Sequence, residues 1–205
     1  AAETGCHAFD SPAALAAACD VVVTCVSADD DLLEVIDALC TALPKRSLVI
    51  DCSTVAADTA RAAAARIAAV GSHFLDCPVS GGVEGAKNAT LAIMCGGDEA
   101  AFERARPVLE ALGRTIVRMG PSGSGQATKA TNQILCAGAI QVAAEAMAFA
   151  RAEGLPLDRV IEILGKGAGS SWYFVHRAPF MAQGEYPAGF RVRLHEKDLR
   201  ICRAM

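Results

Sequence analysis

A side chain that moves protons needs an apolar setting and polar neighbours to orient what it acts on. Lys129 has that company: it follows the stretch Gly120-Pro-Ser-Gly-Ser-Gly125 and precedes Asn132 and Gln133. The spacing i, i+3, i+4 puts the amine and both amides on one helix face. Burying such groups on an otherwise apolar helix is costly without a purpose. One reading is a proton-transfer lysine with orienting amides; the other is a solvated stripe near a helix start. The pattern alone leaves both open. The stretch is not a P-loop, because no lysine directly follows its last glycine. It is not a dinucleotide fingerprint either, since Thr128 stands where the third glycine belongs.

A second segment, Asp76-Cys-Pro-Val-Ser80-Gly81-Gly82-Val-Glu-Gly-Ala86, leaves the end of an expected strand. Ligands of open α/β sheets lie at such carboxyl ends. Ser80 offers a hydroxyl, and Gly81 and Gly82 let backbone N–H groups approach an anion. The segment reads as a cradle for a small carboxylate or as an ordinary glycine turn. Val26-Ser27 and Ser53-Thr54 end two further strands and are candidates for cofactor contact. Lys197-Asp198, preceded by His195 and Glu196, reads by itself as a surface cluster. The histidines at 7, 73, 176 and 195 have no metal-ligand spacing, and no metal is expected.

The elements that must position these groups are visible in the hydrophobic pattern. Ser11-Pro12 opens a short helix, with Ser as cap and Pro in the first turn. Strands are expected at 21–26, 47–52, 73–79, 90–95 and 115–119, and helices at 29–43, 56–70 and 98–113. The strands are apolar without alternation, which indicates a mostly parallel sheet covered on both faces. After Gly120 the pattern is helical, at about 123–153, 157–165, 170–182 and 195–204. The expected organisation is an α/β part over 1–119 and an all-helical part over 120–205. The long helix after Gly125 is apolar nearly all round, so it should be buried between domains or subunits.

Composition narrows the function. The chain has 205 residues, 53% of them hydrophobic and 20% charged, which excludes a disordered tail. A net charge of -4 argues against a nucleic-acid partner. The longest uncharged apolar stretch, 130–144, falls short of a membrane span and contains Asn132, Gln133 and Gln141. Nine cysteines lack C-x-x-C spacing and read as reduced thiols of a cytoplasmic protein. Those at 25, 52 and 95 fall in strand-like runs, where a thiol acts as a small buried hydrophobe. Both ends read as cut: the chain starts at Ala1 with no strand before its first helix, and it stops at Met205 inside a helical pattern.

Together these motifs resemble the β-hydroxyacid dehydrogenase family, whose members include 3-hydroxyisobutyrate dehydrogenase and 2-hydroxy-3-oxopropionate reductase. The resemblance runs over essentially the whole chain. Asp76-x-Pro-Val-Ser-Gly-Gly-x-x-x-Ala86 is similar to the family's substrate motif. Gly123-x-Gly-x-x-x-Lys129 is similar to its catalytic motif, and Lys197-Asp198-Leu199 to its late cofactor-side motif. The resemblance implies a Rossmann-like sheet that lacks its first βαβ unit here, followed by a truncated all-α domain. It implies NAD or NADP as cofactor, and a homodimer or homotetramer.

It also implies roles. Lys129 would be the catalytic acid/base, and Ser80, Gly81 and Gly82 would hold the substrate carboxylate, with Asn132 and Gln133 beside them. Val26, Ser27, Asp31 and Thr54 would line the cofactor, with Lys197 on the nicotinamide side and Asp198 behind it. A lysine at its ordinary pKa of about 10.4 is a poor base at neutral pH, so this role requires surroundings that favour the neutral amine. Many relatives place Asn four residues after the lysine, where this chain has Gln133, so which amide meets substrate stays open. The glycine-rich fingerprint and the residues that choose NAD or NADP would lie before Ala1, so the chain alone is expected to bind dinucleotide poorly and to be inactive. The alternatives are a non-catalytic scaffold that kept the fold, and a 6-phosphogluconate dehydrogenase-like enzyme.

Overall fold

A computed structural model describes residues 5–186 and 189–205. Two compact units divide the chain. One runs to Ala130 and includes Ile201–Met205; the other is Thr131–Arg200.

The first unit is built on a six-stranded sheet. β1 (Val21–Thr24), β2 (Leu48–Asp51) and β3 (His73–Asp76) pair in parallel, with Val21 opposite Leu48 and Leu48 opposite His73. Side chains alternate across a strand, and the central strands β2 and β3 bury both sets. Val22, Val49 and Phe74 pack against α1 (Pro12–Ala17), α2 (Asp29–Cys40) and α3 (Ala57–Ala69). Leu48, Ile50 and Leu75 pack with Ala101, Phe102, Ala105 and Leu109 of α5 (Glu99–Glu110). Two covered faces explain why these strands show no polar alternation in sequence.

The second half of the sheet differs from the parallel expectation. β4 (Val79–Ser80) and the end of β3 run antiparallel to β5 (Leu91–Gly96), with Asp76 opposite Gly96 and Ser80 opposite Ala92. Met94 N donates to Pro78 O at 3.1 Å, so the ladder continues across Cys77-Pro78. The link from Ser80 to Leu91 holds only the short helix α4 (Gly82–Lys87). That is too little chain for a parallel crossover, so β5 returns antiparallel. β6 (Gly113–Gly120) then pairs in parallel with the other edge of β5. Gly113, expected at the end of α5, belongs to this strand.

α6 (Ser124–Ala152) starts in the first unit and continues as the long helix of the second, which adds α7 (Leu157–Leu164), α8 (Trp172–Gln183) and α9 (Val192–Ala204). The core of the second unit is Ala143, Met147, Phe174 and Ala178. Ser171 caps α8 by accepting from Phe174 N at 3.0 Å, and Gly184 ends it at φ +72°. The expected burial of α6 is not seen in this chain, where Ile134, Leu135, Val142 and Phe149 are exposed. By length and composition alone α6 is also long and apolar enough to cross a membrane, beyond what the 130–144 stretch suggests.

Candidate active site

The first unit brings the lysine and the glycine turn together. Lys129, in the second turn of α6, is buried, and its Nζ donates to the carbonyl of Val79 at 2.9 Å. Val79 is the residue before Ser80. Ser80 is half-buried on β4, while Gly81 and Gly82 are exposed and start α4. The turn requires glycine at its first position: Gly81 has φ +137°, and a Cβ there would meet Leu91 Cδ2 at 3.1 Å. Gly82 has φ +63° and open space around it.

Two buried residues that the sequence reading gave no role hold this arrangement. Asp76, at the end of β3, accepts from Gly123 N at 2.8 Å on Oδ1 and from Gln126 N at 3.0 Å on Oδ2. Gln126 reaches the loop after β2, donating from Nε2 to Ser53 O at 2.9 Å and accepting from Val55 N at 3.2 Å. The available signal was an acid at the end of an apolar run and a glutamine in the first turn of an apolar helix. Burial pushes the Asp76 carboxyl above the ordinary carboxylate range, against the N–H groups of Gly123 and Gln126, which favour its charged form.

The strand-end loops are tied by a parallel device at Asp51. Its Oδ1 accepts from Thr24 Oγ1 at 2.8 Å and from Ser53 Oγ at 2.6 Å, and Ser53 Oγ accepts from Val26 N at 2.8 Å. Burial raises this carboxyl as well, opposed by the Ser53 and Thr24 hydrogen bonds. Val26 and Thr54 are half-buried, and Ser27 is exposed. Asp31 is exposed on the first turn of α2; its neighbour Asp29 is the acid that reaches the β2 loop, accepting from Ala56 N at 2.8 Å and Thr59 Oγ1 at 2.6 Å. The carboxylates at 29, 30 and 31 all lie in the first turn of α2, where the helix dipole favours negative charge.

The remaining candidates lie in the second unit. Gln133 Nε2 donates to Asp198 Oδ2 at 2.6 Å, and Gln133 Oε1 accepts from Asn132 Nδ2 at 2.8 Å. Asn132 also donates to Cys136 Sγ at 3.4 Å. Asp198 is buried, and its Oδ1 pairs with Lys197 Nζ at 3.2 Å. The Lys-Asp-Leu motif is therefore more than a surface cluster: its acid organises Gln133 and Lys197 together.

Among the described residues no cysteine is in a disulfide, and no group of His, Cys, Asp or Glu could hold a metal. Cys77 and Cys95 are buried and share a hydrogen bond, and burial beside Asp51 pushes Cys52 up to about 12. Cys25 departs from its expected burial and is exposed, because β1 ends at Thr24 and Cys25 belongs to the loop.

Comparisons with known proteins identify the family. Residues 1–120 match the family profile of the NAD binding domain of 6-phosphogluconate dehydrogenase. Residues 123–205 match that of the NAD-binding domain of NADP-dependent 3-hydroxyisobutyrate dehydrogenase. An oxidoreductase of Shewanella frigidimarina is 42% identical over 94% of this chain and 67% of its own length. The 3-hydroxyisobutyrate dehydrogenase of Pseudomonas aeruginosa is 36% identical over 98% of this chain and 71% of its own. The solved structure of Mycobacterium tuberculosis 3-hydroxyisobutyrate dehydrogenase with L-serine superimposes with a TM-score of 0.85 at 35% identity, covering 96% of this chain and 70% of that one. The chain belongs to the NAD(P)-dependent β-hydroxyacid dehydrogenase family and is an oxidoreductase.

Proposed function

We propose that the protein transfers a hydride between NAD or NADP and a small β-hydroxyacid, with Lys129 as general acid/base. The observation that carries this reading is the hydrogen bond from Lys129 Nζ to Val79 O, which sets the amine beside Ser80-Gly81-Gly82. The substrate carboxylate lies against the Ser80 hydroxyl and the N–H groups of the two glycines. The hydroxyl on the next carbon but one then comes within reach of Lys129. When bound, the nicotinamide supplies the hydride acceptor or donor. In oxidation Lys129 takes the hydroxyl proton; in reduction it returns it. The carbonyl of Val79 accepts one N–H and so fixes the amine's direction.

The family motifs add Asn132 and Gln133 as orienting amides and Lys197 on the cofactor side, with Asp198 holding Gln133 and Lys197. Val26, Ser27, Asp31 and Thr54 are the proposed cofactor contacts of the strand-end loops. The dinucleotide-binding part is assigned to 1–119 and the helical part to 120–205. A three-carbon β-hydroxyacid, L-serine, accompanies the Mycobacterium tuberculosis relative, which supports a small substrate. We further place the protein in the cytoplasm as a homodimer or homotetramer. Nine cysteines without a disulfide among the described residues suit a reducing compartment. The exposed Ile134, Leu135, Val142 and Phe149 suit a second copy of the chain.

General acid/base help of this kind is worth about 100- to 10,000-fold. In the full-length enzyme Lys129→Ala is expected to lower kcat by at least the smaller of these factors while cofactor affinity, measured by fluorescence titration, persists. Unchanged turnover overturns the assignment. A panel of β-hydroxyacids with 6-phosphogluconate as control, each with both cofactors, defines the substrate. No turnover of any member favours the scaffold reading.

A further inference from the structure

We propose that Asp76 is a positioning residue for Lys129. It acts as a two-pronged acceptor that sets the start of α6 against the substrate turn. The proposal rests on the acid/base reading of Lys129 given above.

Two segments face each other here, 76–80 and 123–129, and hydrogen bonds join them. Asp76 Oδ1 receives Gly123 N–H, Asp76 Oδ2 receives Gln126 N–H, and Val79 O receives Lys129 Nζ. The first N–H groups of a helix have no intrahelical partner, and the one at Gln126 lies one turn before Lys129. Fixing both oxygens of one rigid carboxylate to donors three residues apart fixes the depth of the helix and its rotation about its axis. Lys129 follows three residues later, so its direction toward Val79 and Ser80 is set by the Asp76 clamp.

The surroundings are shaped around this carboxylate. A Cβ on Gly96 would come within about 2.5 Å of Asp76 Oδ1, so that position takes no side chain while Asp76 keeps its place. A Cβ on Gly125 would meet Asp76 Oδ2 at 2.9 Å and would run closer still into the backbone carbonyls of Asp76 and Met94. Asp76 is completely buried, and its hydrogen bonds to Gly123 and Gln126 carry its influence to Lys129 through α6.

Asparagine is the same size but offers one acceptor, and its amide would point N–H at N–H on one prong. The test is a double-mutant cycle in the full protein with Asp76→Asn and Lys129→Ala. Small misplacements of a reacting group cost up to about 100-fold. Asp76→Asn is expected to lower kcat about 10- to 100-fold, leave KM for the cofactor unchanged, and have almost no further effect once Lys129 is alanine. A merely structural role would reduce activity by the same factor in both backgrounds, and that result overturns the proposal. So does an unchanged kcat in Asp76→Asn. If Lys129→Ala itself keeps full turnover, the acid/base reading fails, which is a different outcome.

Should Asp76→Asn not fold, amide hydrogen exchange of the unaltered protein decides. Gly123 and Gln126 have no other acceptor than this carboxylate among the described residues. Strong protection of both amides supports the clamp, and exchange at the rate of an open loop overturns it.

Discussion

Gln126→Leu isolates the joint between α6 and the loop after β2. Gln126 is 1% exposed and satisfies two backbone groups, Ser53 O at 2.9 Å and Val55 N–H at 3.2 Å. Leucine fills nearly the same volume, so no large cavity opens; the loss is of hydrogen bonding. A buried backbone group left without a partner costs about 1–3 kcal/mol. Two such groups, less some relief from the added apolar side chain, give about 2–4 kcal/mol. For a chain of this length that corresponds to a fall in Tm of about 5–15 °C. The assay is urea and thermal unfolding followed by far-UV circular dichroism. Because Thr54 sits inside the clamped loop, the cofactor is also expected to bind more weakly, while kcat at saturating cofactor stays close to that of the parent. A destabilisation below about 0.5 kcal/mol, the size of an ordinary surface change, would refute the argument that this side chain joins the two segments.

Two further outcomes follow from the same geometry. The Asp51 carboxyl is raised by burial, so its folded form holds a proton over a window that begins near the unfolded value of about 3.9 and extends upward. That contribution to stability is complete below the unfolded value and is lost as pH rises through the folded one. Urea unfolding from pH 4 upward should therefore show the parent losing stability relative to Asp51→Asn, and parallel curves would contradict the assignment. At the glycine turn, Gly81→Ala must force a side chain to φ +137° and toward Leu91, whereas Gly82→Ala meets open space at φ +63°. The first should cost about 1–3 kcal/mol and raise KM for the hydroxyacid, and the second about 1 kcal/mol. Equal effects in unfolding and kinetics would show that the turn is not constrained as described.

What could be read in the sequence was what is written in neighbouring residues. The helices and parallel strands up to His73–Asp76 were legible because buried apolar runs and capping residues such as Ser11 and Asp98 are local signals. The antiparallel return of β5 was not, because it depends on how few residues link Ser80 to Leu91, and strand direction leaves no mark on composition. The approach of Lys129 to the serine–glycine turn was legible only through the resemblance of both motifs to one family. The roles of Asp51, Asp76 and Gln126 were hidden, since each depends on a partner far along the chain: Thr24 for Asp51, Gly123 and Gln126 for Asp76, Ser53 and Val55 for Gln126. A carboxylate that accepts from a loop N–H 47 residues later looks, in the sequence, like any other acid at a strand end. Asp198 stands between these cases: its motif was visible, but its bond to Gln133 arises only when α9 folds.

The place where α6 changes allegiance has a consequence for the chemistry. By hydrophobic pattern the helical part starts near residue 120, but compactness assigns the chain through Ala130 to the sheet unit. The reason is the polar layer at the strand ends: Asp76, Ser53, Val55 and Val79 all bond to residues 123–129 of the loop and first helical turns. Breaking this layer would leave several buried polar groups without partners, each at a cost comparable to a lost hydrogen bond. The amine of Lys129 is therefore fixed relative to Ser80 within a single folded unit.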